Sequence, residues 1–373
     1  MDALKKILFI HPDLKGGGAE RVLVHLVNAL PKDKYQVTLF TIFKEGINKK
    51  LLHPVIKHFY WFSKVFRGYS VLQKIIPASF LANRLKVNDY DIVVAYLEHV
   101  PTRILSGITN PKVKKIAWLH TKATPELLSR TFRTFEETKN AYQSFNHIVC
   151  VSQEVKNSLL HIFPQLENKT LVIENTIDFS FIEQKAQEVS FDIEFDSKTL
   201  NIVSIGRLIE VKGYERLIQI VKRIASSTDI KFKLYLIGDG ELASKLNAII
   251  KKDKLENYVQ LLGFKENPYP YLAIADLYVC SSFTEGYNSA IIEALALEIP
   301  VLTTDCPGMN EILDKGKFGK IVPNTTEDLY KGLVELITKS EELNLLKLKA
   351  KERAVYLKAQ NSTRSVEHLF DTI

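Results

Sequence analysis

The sequence predicts an α/β fold of two domains, each built on a parallel sheet with crossover helices. Three observations predict it. Strand-length apolar runs alternate with segments whose apolar residues recur at helical spacing. The alternation breaks at the polar stretch Glu174-Asn175-Thr176-Ile177-Asp178 and resumes at Leu200. A chain of 373 residues, 46% of them hydrophobic, is long enough to bury two full cores. Alternation of this kind gives parallel sheets, whose functional groups gather at the carboxyl ends of the strands. The expected boundaries are 1–178 for the first domain, 179–355 for the second, and 356–373 for a terminal helix that packs back on the first. No internal repeat is visible.

The first strand runs from Lys5 to Ile10 and leads into His11-Pro12-Asp13-Leu14-Lys15-Gly16-Gly17-Gly18, followed by a helix with Val22, Leu23, Leu26, Val27 and Leu30 on one face. A glycine run between strand and helix lets backbone approach a phosphate closely and offers it helix N–H groups. The spacing is not that of a dinucleotide fingerprint, and the plainer alternative is a flexible connection. Further strands are expected from Tyr35 to Ile42, Asp91 to Tyr96, Val113 to His120, His147 to Ser152 and Lys169 to Glu174. His120 closes Trp118-Leu119-His120-Thr121, so it stands where a strand end meets ligand. His147 stands at a strand start and reads as structural. Between these, Leu51 to Val87 sets Trp61, Phe62, Val65, Phe66 and Tyr69 among Lys57, His58, Lys64, Arg67 and Lys74. That mixture suits a bilayer interface, and equally an amphipathic helix whose aromatics fill the core.

Residues Phe179 to Ser197, rich in acids, read as a surface connection. The second half restarts with Leu200-Asn201-Ile202-Val203-Ser204-Ile205, then Gly206-Arg207-Leu208-Ile209-Glu210-Val211-Lys212-Gly213 ahead of a helix from Tyr214. Arg207 and Lys212 are two cations on one strand-to-helix loop, suited to the negative charge of a departing diphosphate. Phe232 to Ile237 leads to Gly238-Asp239-Gly240, and Tyr258 to Leu262 leads to Gly263-Phe264-Lys265. Asp276 to Cys280 leads to the densest stretch, Ser281-Ser282-Phe283-Thr284-Glu285-Gly286-Tyr287-Asn288-Ser289, and to a helix carrying Glu293. Gly286 permits a sharp turn, and Asn288 or Ser289 can cap the helix, whose exposed N–H groups then face the turn and make an anion site. Glu293 lies five residues beyond Asn288, about 8 Å along the axis, near the span of a diphosphate with a sugar at each end. Glu285 serves as well as a loop charge, and Glu293 as a complement to the helix dipole.

Charge is uneven. Residues 1–180 carry 25 Lys and Arg against 15 Asp and Glu, and the remainder 25 against 28, within a net charge of +7. An acidic partner therefore meets the first half, either nucleic acid or an anionic membrane surface. The basic residues form no nucleic-acid recognition motif and the second half is acidic, so nucleic acid is the weaker partner. No apolar run approaches a membrane span, and the N-terminus reads as a first strand and not a signal peptide, which makes a cytoplasmic location the expectation. Cys150, Cys280 and Cys306 are isolated and read as reduced structural thiols, with no candidate metal cluster and no cofactor expected.

The stretch Glu285-Gly-Tyr-Asn-Ser-Ala-Ile-Ile-Glu293-Ala-Leu-Ala-Leu-Glu-Ile-Pro-Val resembles the donor-binding signature of the retaining glycosyltransferases called family four. Gly206-Arg207-Leu208 with Lys212-Gly213 is similar to that family's second signature, and Trp118-Leu119-His120-Thr121 fits its histidine beside the donor sugar. The resemblance extends over nearly the whole chain and is more specific in the second half. It implies two Rossmann-like domains whose parallel sheets face across a cleft, the GT-B architecture.

It also implies transfer of a hexosyl group from a nucleoside-diphosphate sugar to an acceptor hydroxyl, with retention and an α-linked product. On that view Glu285 holds donor hydroxyls, Glu293 the ribose, His120 the reacting region, and Arg207 and Lys212 the diphosphate. Gly17 and Gly18 close over the diphosphate, Gly206 lines it, and Phe264 and Lys265 lie at the base. Gly286, Tyr287, Asn288 and Ser289 border the donor sugar. UDP is the favoured nucleotide, with guanosine open, and the acceptor is a glycan or polyprenyl-linked molecule of polysaccharide biosynthesis. Arg207, Lys212 and helix N-termini take the place of a divalent cation. A nucleotide-sugar epimerase shares the architecture, and a non-catalytic nucleotide-sugar-binding protein is the reading from another class.

Overall fold

The structure, a computed structural model, describes residues 4–66, 69–188, 195–196, 198–360 and 362–373. Arg67, and residues 189–194 and 197 of the expected surface connection, lie outside the described residues. Two compact units form: residues 1–176 with 362–373, and residues 177–361.

The first unit holds β1 (Lys5–His11), β2 (Tyr35–Phe43), β3 (Lys57–Phe62), β4 (Ile92–Ala95), β5 (Lys114–Leu119), β6 (His147–Cys150) and β7 (Thr170–Val172). They pair in parallel in the order β3-β2-β1-β4-β5-β6-β7. Ile7, Leu8, Phe9 and Ile10 of β1 are wholly buried, which is why this strand reads as an unbroken apolar run: helices cover both faces of the sheet. The terminal helix Arg364–Thr372 joins this unit, with Phe370 edge-on to Phe9 and Tyr35 at 6.1 and 5.9 Å, and the Tyr35 hydroxyl donating to Asp371 at 2.6 Å.

The second unit holds β8 (Leu200–Ile205), β9 (Phe232–Ile237), β10 (Val259–Gly263), β11 (Leu277–Cys280), β12 (Val301–Thr304) and β13 (Lys320–Val322). These are parallel in the order β10-β9-β8-β11-β12-β13, over a core that includes Ile202, Leu217, Val221, Leu236, Val279 and Leu302. In each sheet the chain order reverses once, beside β1 and beside β8. There the connections leave toward opposite faces and open a crevice at the carboxyl edge.

Three expectations change. The aromatic stretch within Leu51 to Val87 is not one amphipathic helix: its centre is edge strand β3, followed by helices Tyr69–Ile75 and Ala78–Arg84. Phe59 and Trp61 alternate onto one side, where their rings meet Phe40 at 5.1 and 4.8 Å, so period-two packing against β2 overrides the helical reading. The acidic connection begins as a packed helix, Phe179–Ala186, with Phe179 and Ile182 buried and Asp178 as its N-cap. β13 is a three-residue strand that its sequence does not announce.

Replacing Phe370 with Ala removes a ring with no exposed surface and is expected to lower stability by about 3–5 kcal/mol. Urea unfolding would measure it; a loss below about 1 kcal/mol would show that the helix contributes little to its unit.

Candidate active site

In the second unit the loops after β8 and β11 are sewn together. Phe283 N donates to Val211 O at 2.8 Å and Ser281 Oγ to Lys212 O at 2.8 Å. Gly213 has φ +67, and a side chain there would strike the Ser281 carbonyl, so only glycine lets the two loops touch. Gly308, φ +80, approaches the Gly286 carbonyl on the other side in the same way.

This clamping places Lys212 Nζ 2.7 and 2.9 Å from the two carboxylate oxygens of Glu285. Ser282 Oγ donates to Glu285 Oε1 at 2.5 Å and Asn288 Nδ2 to the same oxygen at 3.2 Å. The two residues expected at separate parts of the donor thus form one partly buried ion pair, with side-chain exposures of 22% and 10%. Asn288 also caps the helix Ser289–Ala296, its Oδ1 accepting from Ala290 N at 3.0 Å and Ile291 N at 3.3 Å. Those amides, expected to face an anion, are therefore taken by the cap.

Arg207 is exposed and forms no ion pair among the described residues. Gly206, before it, leaves room for the buried Tyr214 hydroxyl, which a Cβ would approach to 2.8 Å. Glu293 is buried inside the helix, as are Gly286 and Tyr287 in the turn, while Ser289 is half-buried. Phe264 is 47% exposed just past β10, and Lys265 Nζ lies 5.3 Å from the Tyr271 ring.

The residue that holds this turn is one that sequence reasoning missed. Arg216, 8% exposed, donates from Nε and Nη2 to Ser281 O at 2.8 and 2.5 Å, and from Nη2 to Ser282 O at 2.8 Å and Asn324 Oδ1 at 2.9 Å. Its guanidinium lies 3.9 Å from the Phe283 ring centroid. Thr304 Oγ1 also donates to Ser282 O, at 2.7 Å, and Asn324 Nδ2 to Phe283 O at 2.9 Å. An arginine in the first turn of a helix carries no sequence signal that separates it from a solvated one. The three thiols are free and buried, with Cys306 pushed up to about 12 by burial.

In the first unit His120 follows β5 and is 8% exposed, its ring 4.7 Å from that of Tyr96. Burial, with a smaller contribution from neighbouring His11, holds it down at about 3 against an ordinary 6.5. His11, at the end of β1, is likewise held at about 4 by burial, against the opposing effect of Asp13. His11 Nδ1 lies 2.6 Å from Asp13 O, while Nε2 of both histidines is buried without a protein partner. Both imidazoles are neutral at physiological pH. Gly17 caps the helix Gly18–Ala29 with no side-chain bond, leaving the cap position of that helix to backbone alone. Buried Glu98 follows β4 and accepts from the His120 amide; neither it nor His11 was singled out, though a carboxylate just past an apolar strand end was a usable signal.

The family model described as Glycosyltransferase Family 4 matches residues 16–181, and that described as Glycosyl transferases group 1 matches residues 185–353. The chain belongs to the family-four glycosyltransferases. It is 28% identical over 351 residues to an uncharacterized glycosyltransferase of Methanocaldococcus jannaschii, covering 86% of this chain and 80% of that one. Over 198 residues, 52% of each chain, it is 35% identical to the N-acetylgalactosamine-N,N'-diacetylbacillosaminyl-diphospho-undecaprenol 4-alpha-N-acetylgalactosaminyltransferase of Campylobacter jejuni. The crystal structure of Anabaena HepE in complex with UDP matches with a TM-score of 0.77 at 18% identity, covering 99% of this chain and 100% of that one. The fold of this glycosyltransferase is thus GT-B. Among its described residues no group of three or more His, Cys, Asp or Glu is placed to hold a metal ion, and no helix is long and apolar enough to cross a membrane.

Because the folded glycosyltransferase keeps His11 and His120 below 6.5, at about 4 and about 3, the unfolded chain binds more protons between those values. The stability that results is whole above pH 6.5 and is lost as pH falls toward 3. Each histidine contributes a slope of up to about 1.4 kcal/mol per pH unit in its window. Glu98, raised by burial, acts in the opposite sense, so His120→Asn isolates the histidine. Urea titrations should show a shallower acid slope in that variant; an unchanged slope would mean that His120 is not held neutral.

Proposed function

We propose that this chain transfers a hexosyl group, with retention, from a UDP-sugar to a hydroxyl of a glycan or polyprenyl-linked acceptor. The observation that carries the reading is the second unit's edge, where Arg207, an exposed cation with no ion pair among the described residues, stands on the same loop as Lys212, which pairs with Glu285 of the loop after β11. A diphosphate leaving group gathers negative charge as its bond to the anomeric carbon breaks, and cations fixed beforehand favour that state. Lys212 binds the phosphate side, and Glu285 Oε2, which accepts from Lys212 at 2.9 Å, turns to sugar hydroxyls. The acceptor oxygen bonds to the anomeric carbon on the face that the phosphate leaves, and the acceptor's proton passes to the departing phosphate oxygen. With cations in this role the reaction runs without a divalent metal. Glu293 and Phe264 serve the ribose and base, Gly17, Gly18 and Gly206 line the diphosphate, and His120 takes a hydroxyl of the transferred sugar. Two named relatives support the choice of substrates: HepE was crystallised with UDP and glucose, and the Campylobacter enzyme is named for a diphospho-undecaprenol-linked acceptor.

Replacing Glu285 with Gln is expected to reduce turnover by roughly 10²–10³-fold while the protein still melts cooperatively as a folded chain. Arg207→Ala should weaken UDP binding in calorimetry by about 1–2 kcal/mol. Near-normal turnover in the first, or unchanged UDP affinity in the second, would refute these roles.

A membrane contact through the first unit is favoured by apolar and basic side chains exposed there. Val55, Val65, Phe66, Ile75 and Phe80 are each at least 39% exposed, and Lys44 and Lys49 lie 5.6 and 6.0 Å from the Tyr60 ring centroid. Exposed apolar side chains and lysines on one unit suit an anionic lipid surface at the cytoplasmic face. The protein should sediment with phosphatidylglycerol vesicles at low salt, and Lys44→Glu with Phe66→Ser should abolish this. Equal binding by that variant would rule these residues out.

A further inference from the structure

We infer that Glu98 is a positioning residue for catalysis: its buried carboxylate fixes the strand end that presents His120. The inference rests on the reading of His120 as the group that meets the transferred sugar.

β4 ends at Ala95, paired with Ala117 of β5, so β5 runs on past its neighbour toward His120. On its other side β5 stays paired with β6, Leu119 opposite Cys150, and Val151 N donates to Leu119 O. On the β4 side the amides just past β5, those of His120 and Thr121, have no strand opposite them. Glu98 supplies what the missing strand would. Its Oε1 accepts from His120 N at 2.6 Å, Thr121 N at 2.9 Å and Thr121 Oγ1 at 3.3 Å. Glu98 itself is 2% exposed, and burial raises its carboxyl against the pull of these bonds.

A carboxylate reaching inward from a strand end needs an unusual backbone, and one is present. His99, the next residue, has φ +76 and ψ −119, a conformation that residues other than glycine rarely adopt. It begins the helix Val100–Ser106, where Arg103 N donates to His99 O at 3.0 Å and Thr102 Oγ1 to Leu97 O at 3.2 Å. The helix start therefore holds the turn that aims Glu98. The His120 ring packs against Tyr96 at 4.7 Å with Nε2 unpartnered by protein, and the backbone that carries the ring is what Glu98 holds.

The test uses the full-length protein with Glu98→Ala and Glu98→Gln. Turnover of UDP-glucose should fall about 10²-fold in the alanine variant, less in the glutamine variant, which keeps an acceptor oxygen, with KM for UDP-glucose within about threefold. The rise in melting temperature on adding UDP should match wild type in both, because Glu98 is not among the residues read as binding UDP. The ring resonance of His120, assigned by its loss in His120→Asn and shifted by the Tyr96 ring, should move toward that of free imidazole in Glu98→Ala. Wild-type turnover in the variants, or a His120 resonance that does not move, would overturn the inference. Should the alanine variant fail to fold, the glutamine variant carries both measurements. If UDP fails to stabilise wild type or UDP-glucose is not turned over, the functional reading falls, while the resonance still decides the role of Glu98.

Discussion

Everything at the candidate site depends on where the order of strands reverses. β8 lies between β9 and β11, so the connections that leave β8 and β11 depart to opposite faces and their loops meet only at the carboxyl edge. Two loops that meet edge-on must satisfy their own carbonyls, and here Arg216 does so for Ser281 and Ser282 while Gly213 removes the side chain that would hold them apart. Without that contact Lys212 and Glu285 would be an ordinary surface lysine and glutamate. With it they are a pair held in place before any substrate arrives.

A fixed pair of this kind is electrostatically economical. Each charge is partly withdrawn from water, so each alone would be unfavourable there, and together they offset one another. On the proposed reading a sugar diphosphate presents the same two needs, anion to the lysine and hydroxyls to the carboxylate, so the pair exchanges one set of partners for another. The first unit is arranged differently. His11 and His120 are neutral because burial disfavours their charged forms, and their free nitrogens suit hydroxyl recognition and not phosphate neutralisation. The proposed division of labour, charge on the second unit and neutral hydrogen bonding on the first, follows from this contrast.

The strands and their order along the chain were legible because parallel strands covered on both faces are unbroken apolar runs, as Ile7 to Ile10 and Leu234 to Ile237 illustrate. β3 was not, since an edge strand half open to solvent mixes lysine, histidine and aromatics, and only the pairing with β2 reveals its period of two. Phe179–Ala186 was hidden by the acids around it, though Ile182 has no exposed surface. Among candidate site residues, Arg207, Lys212, Glu285 and Asn288 stood out on glycine-punctuated loops and His120 at a strand end. Arg216, Glu98 and His11 did not, because their roles are bonds to backbone groups or burial far away in sequence, and no local pattern marks such a partner.

By itself the sequence determined the two-domain parallel α/β plan and the family, and marked the loops proposed to carry chemistry, because periodicity and glycine placement are local properties of the chain. Only the tertiary structure decided that Lys212 neutralises Glu285, that Asn288 consumes the helix amides expected to meet an anion, and that Glu98 anchors the strand end at His120. These are contacts across 73 and 22 residues of chain, or between a cap and its own helix, and their geometry exists only once the strands lie side by side.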